Sequence, residues 1–416
     1  MSNQKKAIVL GGTNPHRELI TNLKNRGYFI YLLDYAENPI AKGLEDEYVK
    51  ESTFDKETVL KVAIKTNSDL VITTCSDQAN VTACYVAEKL NLPKPYSYET
   101  ALQVTNKVLM KEKMRKGNIP TANFNIIENI KDYEITNLQY PLVVKPADAY
   151  GSKGVRKADN KDELNIFIEE AAKITRNNKI IVEEFKEGIE LSIDFFVENG
   201  NPHLLLIREK FKFIESNKYA VMQTPGTITP ANLSTKIINK IKEIATNIVR
   251  EFELKNTSLL IQAIVNEEEI NVIEFAPRVG GGLSFRIIKL MNNFDIIDAT
   301  INSFLSKKVN LKIEKSKYFY SANNIYSFPG TFCCLKGVED LFKKNIIEEF
   351  YQYKKNGMII SENMSSSDRI GSFIIKGESR EDLFKKAKTA FEILEAYDPN
   401  GNSMIRKDIY LKEYVH

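Results

Sequence analysis

Short apolar runs alternate with helical stretches through the first ninety or so residues, and that order leaves few folds open. Ala7 to Gly12 (AIVLGG) reads as a buried strand ending in glycines, Pro15 to Arg26 as a helix and Tyr28 to Asp34 as a second strand. A helical stretch from Asp55 to Lys65, the run from Asp69 to Thr74 and a helix from Gln78 to Leu90 continue the alternation. Strands joined through helices build a parallel, doubly wound sheet. Ligands of such sheets lie beyond the carboxyl ends of the strands. Asp34 and Asp77 fall there, although helix capping or turn formation is the better account of each. Gly11-Gly12 does not complete G-x-G-x-x-G, so no dinucleotide site is assigned.

The pattern then changes. Residues 99–117 read as one amphipathic helix containing Asn106 and Lys107, broken by Pro120. Pro141 to Ala147 (PLVVKPA) and Lys179 to Phe185 (KIIVEEF) are strands, separated by the loop Asp148 to Val155 and a helix over about 161–175. Glu190 to Glu209 is a hairpin with Asn199-Gly200 as its turn. Leu233 to Phe252 has helical spacing, and Ser258 to Arg278 is a second hairpin. Beyond about residue 310, strands such as Gly371 to Gly377 mix with a helix opened by Ser379-x-x-Asp382. The fold class is therefore α/β, with α+β parts.

With a net charge of +3, no strong field favours nucleic acid. No apolar run approaches a membrane span, and the start MSNQKKAIVLGG lacks a signal-peptide core, so a cytoplasmic location is expected. The four cysteines and three histidines lack zinc-site spacing.

The second hairpin carries chemistry. With its turn centred on Glu268, Gln262 lies opposite Glu274 on one face. Glu274 sits in the apolar stretch Val272-Ile273-Glu274-Phe275-Ala276, where a carboxylate needs compensation. Two oxygen-bearing side chains aimed at one point suit a hard cation such as Mg²⁺. A Glu–Gln hydrogen bond at a sheet surface satisfies the same pattern. Arg278 and Gly280-Gly281-Gly282 follow, offering a guanidinium and backbone N–H groups to an anion. Earlier, Lys145 and the loop Gly151, Ser152, Lys153, Gly154 have the make-up of a phosphate cradle, though not of a Walker A motif.

Four segments in order, NKVLMKEKMRKGNIPTANF, PLVVKPADAYGSKGV, VEEFKEGIELSIDFF and VIEFAPRVGGG, resemble the ATP-grasp superfamily. The resemblance implies an N-terminal α/β domain (1–98), a two-lobed ATP-grasp core (99–308, with a lid over about 122–186) and a C-terminal α+β lobe (309–416). It implies ATP as the nucleotide and Mg²⁺ as the metal, with Mn²⁺ as an alternative. Lys107 and Lys145 would contact phosphates, and the Gly151 to Gly154 loop, with Ser152 and Lys153, would close over them. Glu183, Glu184 and Phe185 would form the adenine hinge, and Glu190 would hold the ribose. Gln262 and Glu274 would hold the metal. Arg278 and Gly281 would hold the acyl phosphate or its tetrahedral successor. The usual Glu-x-Asn-Pro-Arg reads here Glu274-Phe275-Ala276-Pro277-Arg278, and Ala276 cannot coordinate metal, so either a second magnesium is held by fewer protein ligands and more water or another residue substitutes.

Within the superfamily, the GGG segment and the stretch Asp368 to Leu383 look most like L-amino-acid ligases and related carboxylate–amine ligases. The partners implied are a small-molecule carboxylate and an amine, with neither nucleic acid nor membrane, and a homodimer is compatible with the resemblance. The alternatives are a small-molecule kinase on the same scaffold and a nucleotide-binding protein without catalysis.

Overall fold

The structure is a computed structural model and describes residues 4–130, 132–149, 154–211, 224–362 and 368–410. No described helix is long and apolar enough to cross a membrane.

The N-terminal alternation forms strands β1 (Lys6–Leu10), β2 (Phe29–Asp34), β3 (Glu47–Lys50) and β4 (Leu70–Ile72), with helices α1 (Asn14–Asn25), α2 (Lys56–Thr66) and α3 (Asp77–Lys89). All pairings are parallel in the order β3-β2-β1-β4, so the winding reverses between β1 and β4. Strand β3, rich in charge, had no counterpart in the sequence reading. Ile8, Val9, Leu10, Leu32, Leu33, Val71 and Ile72 are fully buried, as strands covered on both faces require.

The single helix expected over 99–117 is two, α4 (Tyr98–Thr105) and α5 (Lys107–Lys116). Asn106 divides them. Its backbone is extended, and its Oδ1 accepts from Val108 N and Leu109 N at 3.0 and 3.2 Å. An Asn side chain that caps a new helix competes with continuing the old one.

Strands β5 (Phe124–Ile127), β6 (Leu142–Pro146), β7 (Arg156–Ala158) and β8 (Ile180–Glu184) form an antiparallel sheet in the order β5-β8-β6-β7. Helix α6 (Lys161–Ala172) covers one face, packing Leu164, Phe167 and Ile168 against Leu142, Val144, Ile180 and Val182. By alternation, Lys145, Ile181 and Glu183 point to the other face, where Val108 of α5 packs with Phe124 and Ile181.

The largest sheet has eight antiparallel strands. It begins with β9 (Ile189–Glu198), β10 (Asn201–Lys210), β11 (Gly226–Thr229), β12 (Thr257–Asn266), β13 (Glu269–Ala276) and β14 (Phe319–Ile325). Its order is β13-β12-β9-β10-β11-β14, followed by the strands Gly371–Gly377 and Glu349–Gln352. The β9–β10 turn places Asn199 at φ 49° and Gly200 at φ 80°, the paired positive values an Asn-Gly hairpin turn adopts. Helix α7 (Thr235–Glu251) lays Ile237, Ile241, Ile244 and Ile248 on Leu191, Ile193, Ile261 and Ala263. Each such side chain contributes about 1.5–3 kcal/mol on burial. Ser379 caps the last long helix (Arg380–Ile393) by accepting from Asp382 N.

Candidate active site

The opposite face of the eight-stranded sheet is polar around β9, β10, β12 and β13. Glu190, Ser192 and Asp194 alternate along β9, Arg208 pairs with Ser192 from β10, and Gln262 pairs with both Ser192 and Glu274. Lys210 Nζ donates to Glu190 Oε1 and to Gln262 Oε1, both at 2.6 Å, and Gln262 Nε2 donates to Glu274 Oε1 at 2.9 Å. A continuous polar row thus crosses four strands, with Lys210 and Glu190 side chains 17% and 18% exposed.

The Gln262–Glu274 pairing is present but reached by a different route from the one expected. The turn is the two residues Glu267 and Glu268, and Asn266 pairs with Glu269. A β-bulge between Gln262 and Ala263 then shifts the register by one, leaving Ile273 outside the one-to-one pairing. Strict alternation after Ile270 and Val272, both in the core, would send Glu274 into the core as well. The bulge reverses this parity. Phe275 goes inward, its ring 4.7 Å from that of Phe252, and Glu274 goes to the polar face.

The four-stranded sheet carries a second ionic cluster. Lys145 pairs with Ile181, so Glu183 is its diagonal neighbour on the same face. Lys145 Nζ lies 2.5 Å from Glu183 Oε1, and Lys111 Nζ of α5 lies 2.8 Å from Glu183 Oε2. All three are buried, Lys111 at 1% exposure. Burial pushes the Glu183 carboxyl up, but the charges of Lys111 and then Lys145 outweigh it and hold the group at about 2. Two ammonium groups over one carboxylate leave a surplus positive charge that an anion would complete.

The hinge expected at Glu184 and Phe185 has its N–H groups committed within the protein. Glu184 N donates to Asn123 O at 3.0 Å and Phe185 N to Pro141 O at 2.9 Å. Lys107 Nζ donates to Ala149 O at 2.7 Å, at the start of the glycine loop. Asp148 anchors that loop by accepting from Thr175 Oγ1, Arg176 N and Asn177 N. Gly151, Ser152 and Lys153 lie outside the described residues. Gly154 has φ 75°, and a Cβ there would come within 2.8 Å of Ile174 Cδ1 and 2.9 Å of Pro146 Cγ.

Arg278 is gripped rather than free. Its Nε and Nη2 donate to the two carboxylate oxygens of Asp77 at 2.5 and 2.7 Å, and Nη1 donates to Val279 O. Burial works against the guanidinium's charge, and Asp77 more than restores it. Asp77, expected to cap a helix or form a turn, instead pairs with Arg278, and Ser76 holds the cap position of α3. Asp34 does form a turn, accepting from Ala36 N at 2.9 Å. Around Gly281 a Cβ would meet nothing within 4 Å, whereas at Gly280 it would come within 3.0 Å of Asp194 Oδ1.

The donor set fits magnesium in one form only. Among the described residues no group of three His, Cys, Asp or Glu side chains could hold a metal. Gln262 and Glu274 give one neutral and one anionic oxygen, which suits Mg²⁺ arriving with phosphates and water. Ala276 pairs with Leu260, and the carboxylate in that row is Asp194, 2.8 Å from Arg208 Nη2. Asp194 is thus spent and does not replace the missing Asn.

Sequence reasoning passed over Lys111 and Lys210. Lys111 shares the buried stripe of α5 with Val108 and Met114, a signal hidden among neighbouring Lys107, Lys113, Arg115 and Lys116. Lys210 ends a hairpin strand, where a charge usually signifies solvent.

Residues 138–286 match the family model described as an ATP-grasp domain. The chain carries an ATP-grasp domain. It is 24% identical to the phosphoribosylamine–glycine ligase of Methanococcus vannielii, over 99% of this chain and 97% of that one. It is 22% identical to the L-arginine-specific L-amino acid ligase of Bacillus subtilis, over 77% and 78% of the two chains. Among solved structures, the L-amino acid ligase of Bacillus licheniformis superimposes with a TM-score of 0.81 at 21% identity, covering 96% of this chain and all of that one. Phosphoribosylglycinamide synthetase from Anaerococcus prevotii gives 0.76 at 21% identity, over 95% of this chain and all of that one. The architecture is thus a multi-domain α/β one, with an ATP-grasp core between flanking lobes.

Proposed function

We propose that the chain is an ATP- and Mg²⁺-dependent carboxylate–amine ligase. The observation that carries this reading is the pair of ionic clusters with opposite surplus charge. Lys111, Lys145 and Glu183 form a site short of one anion, while Glu190, Glu274 and Lys210 form a site short of one cation. A magnesium-bound polyphosphate supplies both. Gln262 and Glu274 would hold the metal, which neutralises phosphate charge.

The reading implies a two-step route. A carboxylate oxygen of the acid attacks the γ-phosphorus, and ADP leaves. The amine nitrogen then attacks the acyl carbon, loses a proton, and phosphate departs. Positioning and charge neutralisation suffice for both steps. Lys145 and Lys107 would hold phosphates, Glu190 the ribose, and the backbone at Gly281, open on its α-carbon side, the developing oxyanion. Arg278, already clamped by Asp77, would act as a fixed positive wall for the acyl phosphate. The amino-acid ligases among the relatives support an amino acid or small acid as the substrate.

The test is a phosphate-release screen of amino acids and small acids paired with amines. ADP and phosphate should form only when a matching acid and amine are both present. Acid-dependent ADP production that needs no amine and leaves a stable phosphorylated acid would make the chain a kinase and overturn the ligase reading.

A further inference from the structure

Lys111 has no separate role in the reading above, yet its surroundings are built with more care than packing requires. A lysine that is 1% exposed belongs in a protein interior only when its charge is matched. Here the match is geometric. Glu183 is held at Oε2 by Lys111 and at Oε1 by Lys145, so its carboxylate cannot turn without breaking one contact. Lys111 Nζ also donates to Thr121 Oγ1, which donates to Val272 O at 2.8 Å. Val272 N in turn donates to Pro120 O at 2.8 Å. Val272 is two residues from Glu274 on β13. One ammonium therefore connects the sheet bearing Lys145 to the strand bearing Glu274.

We infer that Lys111 is a positioning residue of the nucleotide site: it locks Glu183 and Lys145 for a polyphosphate and ties the four-stranded sheet to the metal-bearing strand. The inference rests on the ATP reading above and adds a residue that would not touch the nucleotide.

The charged groups that face Lys111 are Glu183 from β8, Lys145 from β6 and Glu274 from β13. Burial dominates and lowers the lysine to about 8; Glu183 opposes that, Lys145 adds to it and Glu274 opposes it. Below about pH 8 the empty site holds its full surplus charge, and above that Lys111 loses its proton. A bound polyphosphate favours the charged form. Binding should therefore take up a proton above about pH 8, and affinity should fall as pH rises. The secondary ionisation of a phosphate, near pH 6, lies below this window.

The experiment is calorimetric titration of the full chain with MgADP at pH 7.5 and pH 9, in buffers of different ionisation heat. The wild type should bind several-fold more weakly at pH 9 and take up protons there. Lys111→Met, checked for folding by circular dichroism, should bind about ten-fold more weakly at pH 7.5, with the pH dependence gone. Thr121→Val should lose a few-fold in affinity and keep the pH profile. Lys111→Arg, charged throughout this range, covers the case in which Lys111→Met does not fold, and should likewise bind without the pH dependence. A Lys111→Met or Lys111→Arg protein that retains the wild-type profile overturns the inference. A wild type that binds no MgADP overturns the nucleotide reading instead.

Discussion

The triad on the four-stranded sheet and the polar row on the eight-stranded sheet use the same two kinds of charge in opposite proportions. The triad is two lysines on one carboxylate, nearly sealed from water. The row is two carboxylates with one lysine and a glutamine between them, and its Lys210–Glu190 pair keeps about a sixth of its side-chain surface exposed. Water screens the row but hardly reaches the triad. Removing the triad's carboxylate should therefore affect the fold as well as the site, while the same change in the row should affect the site alone.

The largest expected effect is Glu183→Gln. It leaves two buried ammonium groups without a counter-charge, a loss of about 3–5 kcal/mol in urea unfolding at pH 7. The sign can be checked with acid. Glu183 is held at about 2 when folded, below its ordinary value, so its stabilisation is present above the unfolded pKa of about 4.3 and is lost as pH falls toward 2. The gap between wild type and variant should narrow over that window. Equal stability of the two proteins at pH 7 would show that the triad is not a structural unit.

Next is Lys145→Ala. One lysine still compensates Glu183, so the fold should survive, while nucleotide binding weakens by about 2 kcal/mol, roughly 30-fold. Lys145→Arg should also be impaired, since a guanidinium does not fit a site shaped for an ammonium. Unchanged affinity in both variants would remove Lys145 from the site. The smallest effects belong to the row. Glu274→Gln should raise the magnesium requirement with little change in melting temperature, and Ala276→Asn should tighten magnesium binding by less than about 2 kcal/mol. A lowered melting temperature with an unaltered magnesium titration would make Glu274 a structural carboxylate and erase the contrast between the clusters.

Much of the framework could be read from periodicity. The parallel N-terminal sheet, both hairpins and α7 follow from apolar spacing and turn residues that local physics decides. Asn106 shows where this stops, because its side chain turns a continuous helical pattern into two helices. The bulge at Gln262 marks another boundary, since the sequence pairs Gln262 with Glu274 without revealing the extra residue that makes the pairing possible. Lys111, Lys210 and the Asp77–Arg278 pair were missed for one reason. Each owes its role to a partner on a different element, which no local pattern supplies.

The clasp between Asp77 and Arg278 joins residues 201 positions apart. The two partners fare differently while the chain is still being made. Asp77 emerges first and stands in the opening turn of α3, where the helix's own field favours a negative charge. It can wait unpaired at little cost. Arg278 emerges later and is destined for burial, so it meets a carboxylate already in place when its strand docks. The partner that tolerates solitude is thus the one synthesised first, and a chain whose N-terminal domain folds first would offer Arg278 its counter-charge at the moment of docking.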